Sequence, residues 1–159
     1  MADSPRTMRE RLVWRLFHLW FLISRPMTLG VRAIVLDAED RVFLVRHTYV
    51  PGWHFPGGGV ERGETLQAAL ARELEEEGNI VMDEAPRLHG IFFNKAVSPR
   101  DHVAVYVVRR FRQTAPHVAD REIAEARFFP RDALPEGVSR ATRTRLAETL
   151  DGAAIAQIW

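Results

Sequence analysis

The chain has 159 residues, of which 47% are hydrophobic and 27% charged, so it has the composition of one globular domain. This composition excludes a disordered polyelectrolyte and an integral membrane protein. Lys and Arg number 22 and Asp and Glu 21, so bulk charge gives no support for binding nucleic acid, and we expect no such partner. The absence of cysteine excludes disulfides, thiol nucleophiles and thiolate metal sites. Nothing in the composition favours an oxidising compartment, and we expect a cytoplasmic location.

The first apolar segment covers residues 13–24 and is interrupted by Arg15 and His18. It is shorter than the ~20 residues of a membrane-spanning helix. It also lacks the small-residue cleavage site of a signal peptide. Its apolar residues recur at helical spacing. We therefore expect residues 1–26 to form an amphipathic helix that packs on the domain or on a second subunit, which makes a homodimer possible. Attachment to a membrane surface is the less favoured alternative, so we expect no membrane partner from the sequence alone.

After Pro26 the pattern changes to short strands separated by turns. Strands are predicted over residues 29–36, 41–45, 87–94, 102–111 and 126–129. Helices are predicted over residues 65–77 and 140–150, and a loop rich in Pro, Gly and aromatic residues over 47–59. Strands on both sides of one central helix indicate an α+β fold, with a mixed β-sheet flanked by helices.

The central helix carries a cluster of glutamates near its end. At about 100° per residue, Glu73, Glu76 and Glu77 share one face, while Glu75 points away from them. Their carboxylates border the buried leucine stripe, so they repel one another and lose hydration unless a cation compensates them. Oxygen ligands without Cys or His suit Mg²⁺, with Mn²⁺ also possible. A solvated helix end is the alternative, but acids at a helix C-terminus oppose its dipole.

The segment Gly58–Ile80 resembles the Nudix box, the signature of the Nudix hydrolases. That pattern is Gly, Glu after five residues, then after seven more Arg-Glu, an apolar residue, any residue, Glu-Glu, any residue, Gly and an apolar residue. The matching residues are Gly58, Glu64, Arg72, Glu73, Leu74, Glu76, Glu77 and Ile80. Asn79 stands where the family has Gly, and because Asn also tolerates a left-handed helix C-cap, we expect the turn to be preserved.

The resemblance implies an α/β/α sandwich over residues 27–159, with the N-terminal helix as an added element. In the family, the acids of the box hold a divalent metal that bridges a diphosphate. The metal ligands that this implies are Gly57 (through its carbonyl), Glu73, Glu76 and Glu77, with Glu76 and Glu77 also expected in catalysis. The substrate-binding residues that it implies are Gly58, Gly59 and Arg72, with Arg72 expected to brace the loop and orient the carboxylates.

Two further groups are candidates for the site. Many members of the family use an acid from a later loop, and here Glu122 is preferred over Glu125, with a merely solvated loop as the alternative. Trp53 and Tyr49 precede the glycines and either stack on a base or sugar of the substrate or cover the core under the loop.

The function that follows is a metal-dependent pyrophosphohydrolase. Its expected substrate is a nucleotide-derived small molecule, in which a nucleoside diphosphate is linked to another group: a nucleotide sugar, ADP-ribose or a nucleoside triphosphate. A domain that senses a nucleotide without hydrolysing it is the alternative, although such domains usually lose the acids of the box.

Overall fold

A computed structural model describes residues 8–24 and 26–159, except the side chains of residues 9–12 and 22. Residues 1–7 and 25, which belong to the predicted N-terminal segment, lie outside the described residues. The helices are α1 (Met8–Ser24), α2 (Leu66–Gly78) and α3 (Arg140–Leu150). The strands are β1 (Thr28–Val35), β2 (Val42–His47), β3 (Ile80–Met82), β4 (Arg87–Phe93), β5 (Asp101–Val108), β6 (Phe111–Gln113) and β7 (Ile123–Phe129). The predicted α+β fold is confirmed.

Backbone hydrogen bonds order the strands into three sheets. The first has the order β1-β5-β4, with β1 and β5 parallel and β4 and β5 antiparallel, and the other two pair β2 with β7 and β3 with β6. The segment that follows β2 joins the first two sheets. Its His54 exchanges backbone hydrogen bonds with Val45 of β2, and Gly58 accepts one from Val31 of β1 at 2.9 Å. The approach to α2 is therefore fixed on both sides by sheet-like pairing.

Two apolar clusters lie on opposite faces of these strands, because successive side chains of a strand point to opposite sides. On one face, Val31, Ala33 and Phe43 pack with Leu70 and Leu74 of α2. On the other face, a second set packs with α3 and the C-terminal segment. Members of that set are Ile34, Leu36, Leu44, Phe92, Val105, Phe129 and Leu146. Helix α2 and helix α3 thus cover the two faces of the strands, as an α/β/α sandwich requires.

The sequence did not predict β3 and β6, which have three residues each and pair with one another. Strands this short carry too few residues for an alternating pattern to be recognised. Strand β3 begins directly after α2, since Ile80 follows the helix C-cap Asn79.

Helix α1 forms where it is predicted, but the structure does not show it packed on its own domain. Its apolar side chains from residue 13 onward are mostly more than half exposed, with 55% for Trp20 and 71% for Ile23. The structure therefore does not support the expectation that α1 packs on its own domain, because the helix is exposed. Packing on a second subunit stays a prediction. Within the described residues, no helix is both long enough and apolar enough to cross a membrane.

A buried ion pair fastens the C-terminal segment to α3. Arg145 donates to Glu148 at 2.6 Å, and Glu148 also accepts from the backbone N–H of Ala156 at 2.9 Å and contacts His89 at 2.9 Å. The Arg145 guanidinium lies over the ring of Phe92, 3.9 Å from its centroid. Burial alone would raise the pKa of Glu148, but the hydrogen bonds from Ala156 and His89 and the charge of Arg145 hold it below its usual value.

Replacing Glu148 by Gln should destabilise the fold by about 3 kcal/mol at neutral pH, because it leaves Arg145 buried without its carboxylate. Because the pKa of Glu148 is lower in the folded than in the unfolded state, its ionised form stabilises the fold at pH values above the pKa of an ordinary glutamate. This stabilisation is lost as the pH falls through the folded-state pKa. The difference in free energy of unfolding between wild type and variant should therefore shrink below about pH 4. Urea unfolding across pH measures this, with Glu84→Gln at an exposed, 3.7 Å ion pair as the control. A difference that stays constant with pH would contradict the assignment.

Candidate active site

Helix α2, which carries the glutamates, is capped at both ends. Its N-cap Thr65 accepts a hydrogen bond from the backbone N–H of Ala68 at 3.1 Å, which satisfies a donor of the first turn. Its C-cap Asn79 is left-handed, with φ 53°, and donates its N–H to the Glu75 carbonyl at 3.0 Å. Both ends are therefore fixed by local hydrogen bonds, and the rotation of the helix about its axis sets which glutamates face inward.

Glu77 is the buried member of the acidic cluster. It is 8% exposed and accepts a 2.7 Å hydrogen bond from the backbone N–H of Gly57. Burial raises the pKa of Glu77 to about 7, while the Gly57 hydrogen bond and the charge of Arg32 act in the opposite direction. Such a carboxylate costs free energy when it is ionised without a nearby cation. The charge of Arg32 offsets only part of this cost, because the pKa of Glu77 stays raised, so the site favours a further positive charge beside Glu77.

Glu73 lies against Gly58. A Cβ at position 58 would collide with the Glu73 carboxylate, so a larger residue there would displace this group from its present place. Glu73 accepts a 2.7 Å hydrogen bond from Arg72, which also donates to Glu64 at 3.1 Å and to Glu76 at 3.3 Å. Hydrogen bonds from Arg72 lower the pKa of Glu64. Arg72 therefore connects the loop and the helix by hydrogen bonds, and its role in orienting the carboxylates stays a prediction.

A cleft of about 330 Å³ opens between the strands, the glycine loop and α2. Residues that line it include Arg32, His47, Tyr49, His54, Gly57, Gly58, Gly59, Glu73, Glu77 and Glu122. The structure thus brings together the three glycines, two of the predicted box acids and the predicted acid from the later loop. Arg72 and Glu76 are not among its lining residues, and the Glu76 side chain is 61% exposed beside Arg72.

Glu122 and Glu125 have different surroundings. Glu122 lines the cleft, and its loop is held by Asp120, whose carboxylate accepts from the Glu122 and Ile123 backbone N–H groups at 2.8 and 2.7 Å. Glu125 instead pairs with Arg46 at 3.1 Å and with Arg127 at 2.8 Å. The geometry favours Glu122, the acid preferred from the sequence.

Trp53 lies in the apolar core and not in the cleft. It is 6% exposed, and its ring meets that of Phe129 edge-on with the centroids 4.7 Å apart. Its position corresponds to hydrophobic cover under the loop, so we assign it to the core and not to substrate binding. Tyr49 does line the cleft and is 69% exposed, which leaves its ring available for stacking.

Sequence reasoning did not identify Arg32 as a residue of the cleft. It donates to the carbonyls of Phe55 and Gly57 and so fixes the turn of the glycine loop from β1. The signal for it was a lone arginine in an otherwise apolar strand. His47 is also in the cleft, where burial, together with Arg32 and His54, lowers its pKa to about 4. His47 is therefore neutral at pH 7, with Nε2 at 3.7 Å from Glu77.

The candidate metal ligands in the cleft are of the chemical type that a hard divalent cation prefers. They are the carboxylates of Glu73, Glu77 and Glu122 and the carbonyl of Gly57, which also accepts a hydrogen bond from Arg32; all are oxygen atoms. Gly58 leaves room for one of these carboxylates, and the burial of Glu77 favours a cation. Within the described residues, no three acidic or histidine side chains are already close enough to hold an ion. Arg72 donates hydrogen bonds to Glu73 in the cleft and to Glu76 outside it.

The chain is similar to known proteins over most of its length. The family model of the NUDIX domain matches residues 26–150. An RNA pyrophosphohydrolase of Gluconobacter oxydans is 41% identical over 61 residues, which cover 35% of this chain and 36% of the relative. An ADP-ribose pyrophosphatase of Methanocaldococcus jannaschii is 28% identical over 105 residues, which cover 64% of this chain and 62% of the relative. The chain thus spans about a third of the first of these relatives and less than two thirds of the second.

Among solved structures, a MutT NUDIX hydrolase from Burkholderia pseudomallei superposes with a TM-score of 0.64 at 27% identity. The match covers 75% of this chain and 95% of that protein. Helix α1 precedes residues 26–150, the segment that the family model matches.

Proposed function

The chain belongs to the NUDIX domain family, and from that premise we propose that it is a metal-dependent pyrophosphohydrolase. Its substrate in this proposal is a nucleotide-derived small molecule, in which a nucleoside diphosphate is linked to another group. The observation that carries the proposal is Glu77, a buried carboxylate bonded to the Gly57 amide in a cleft shared with Glu73 and Glu122. Residues 27–159 form the catalytic unit in this proposal, and residues 1–26 form an addition to it.

In this proposal a divalent cation, Mg²⁺ or Mn²⁺, is held by Glu73, Glu77 and the carbonyl of Gly57. Glu76, kept as a candidate ligand from the sequence, is beside them on the helix but paired with Arg72. Such a cation, when bound, neutralises the diphosphate oxygens and makes water a stronger nucleophile. Arg72 orients Glu73, Gly58 leaves room for the Glu73 carboxylate, and Gly59, with open space beside it, lets the diphosphate approach the backbone.

The remaining chemistry belongs to side chains of the cleft. Attack of water on phosphorus forms one P–O bond and breaks the bridging P–O bond, so a group must accept the proton of the water. Glu122 reaches the cleft from the loop before β7, on a different element from Glu73 and Glu77. We assign it this role. Tyr49 is in a position to stack on the base or the sugar.

Hydrolysis of a panel of compounds tests the proposal. ADP-ribose, a UDP-sugar and a nucleoside triphosphate should be offered with and without Mg²⁺, and release of nucleoside monophosphate or phosphate should be followed. The proposal predicts Mg²⁺-dependent release from at least one of them. Nucleotide binding without release would instead support the alternative function, a domain that senses a nucleotide.

The two acids near β7 give a matched pair of variants. Glu122→Gln should lower kcat by about 10²-fold or more, because the proton acceptor is lost. Glu125→Gln should change kcat by less than about threefold, since Glu125 is paired with arginines outside the cleft. Equal losses in both variants would remove Glu122 from the mechanism.

A further inference from the structure

Helix α1 exposes a broad apolar face that its own domain does not cover. The face, which we call the α1 apolar face, consists of six side chains that are each 51–71% exposed. They are Val13, Leu16, Phe17, Leu19, Trp20 and Ile23. At about 100° per residue, they span an arc of roughly 160° around the helix, from Leu19 through Trp20 to Phe17. Such an area of apolar surface in contact with water is unfavourable, and it indicates that something else covers it.

The opposite side of the helix carries the positive charge of Arg15 and the imidazole of His18, and the exposed Trp14 lies at the edge between the two sides. Arg15 and His18 are about 60° apart, and both lie more than about 120° from Trp20. None of the described side chains of α1 is acidic. In the sequence, residues 1–26 carry five arginines and two acids, so the segment is positively charged although the whole chain is nearly neutral. A helix with aromatic and aliphatic residues on one face and basic residues on the other is typical of helices that lie in the surface of an anionic membrane.

The shape of the face favours a lipid surface over a second copy of the helix. Packing of two helices buries a stripe of about 100° on each, which would leave part of this arc in water. The helix is also only about 25 Å long, and one pair of such helices offers well under the ~800 Å² per partner of a stable interface. A lipid surface covers the whole arc, while Arg15 and His18, in the middle of the helix, remain at the level of the head groups.

We propose that α1 docks this protein on an anionic lipid bilayer, with the helix axis parallel to the surface and the α1 apolar face inserted. The proposal does not depend on the function of the cleft, because none of the residues that line the cleft belongs to α1. Binding should weaken as salt is added, since the basic side screens with ionic strength while the apolar face does not.

Co-sedimentation of the full chain with vesicles tests the proposal. Vesicles of equal parts phosphatidylglycerol and phosphatidylcholine should pellet the protein, and vesicles of phosphatidylcholine alone should pellet much less. The double variant Phe17→Glu/Trp20→Glu should bind the anionic vesicles at least about tenfold more weakly. Val118→Glu is the matched control, because Val118 is 80% exposed and lies outside α1. Thermal melts of both variants establish that the domain is folded.

Three results would overturn the proposal. The first is a full chain that stays in the supernatant with anionic vesicles. The second is a loss of binding in Val118→Glu as large as in the double variant. The third is a stable dimer in analytical ultracentrifugation that Phe17→Glu/Trp20→Glu dissociates, without any vesicle binding, which would make a second copy of the chain the partner of the α1 apolar face.

Discussion

Replacing Glu77 by Gln is expected to lower kcat for Mg²⁺-dependent hydrolysis by about 10²–10⁴-fold, with the fold retained. Glutamine keeps the size of the side chain and an oxygen that can accept the 2.7 Å hydrogen bond from Gly57. It removes the negative charge that we propose as a ligand of the metal, at the most buried acid of the cluster. Steady-state kinetics at saturating Mg²⁺ on the hydrolysed substrate measures the loss.

Glu75→Gln is the matched control, since it makes the same change on the same helix two residues away. Glu75 is exposed and points away from the cleft, so its replacement should change kcat by less than about twofold. A loss in Glu75→Gln comparable with that in Glu77→Gln would show that the face of α2 used in this account is not the functional one.

Gly57→Ala is expected to be the most destabilising single change in the glycine loop. Gly57 has φ 134°, a conformation that L-residues rarely adopt, and an added Cβ would collide with the backbone carbonyl of Val31 and approach the Cα of Arg32. Backbone atoms of β1 cannot move aside as a flexible side chain can. The strain and the clash together should cost about 3 kcal/mol or more, which chemical denaturation measures.

Gly59→Ala provides the comparison within the same loop. A Cβ at Gly59 meets no atom within 4 Å, and the residue has no positive φ. The free energy of unfolding should therefore change by less than about 0.5 kcal/mol. If the two variants were equally stable, the tight approach of the loop to β1 would not exist in solution.

The helix that carries the site was predictable because its signals are local. Thr65 and Asn79 cap α2 by contacts within a few residues, and the helical period alone places Glu77 inward and Glu75 outward. The apolar residues of β1 and β2 likewise alternate between the two faces of the strands, which predicts the two apolar clusters. These features depend on residues close together in the sequence, so the sequence alone is sufficient to predict them.

Other features depend on contacts between distant segments. Trp53 is buried because β7 brings Phe129 beside it, 76 positions later in the chain. Glu122 and Glu125 differ in their surroundings because the pairing of β2 with β7 places Glu125 opposite Arg46, with which it forms an ion pair. Arg32 enters the cleft because its strand lies beside the glycine loop. The exposure of α1 also followed only from the whole fold, since its apolar pattern is equally typical of a packed helix.

In our proposal the acidic cleft holds a divalent cation through Glu77. The most direct measurement is the increase in melting temperature that Mg²⁺ causes, in wild type, Glu77→Gln and Glu75→Gln, at pH 8 so that Glu77, with its pKa of about 7, is ionised. Mg²⁺ should stabilise wild type and Glu75→Gln alike. Glu77→Gln should melt higher than wild type without metal, because a buried charge has been removed, and should gain little from Mg²⁺. An undiminished Mg²⁺-induced shift in Glu77→Gln would contradict it, because the cation would then bind elsewhere.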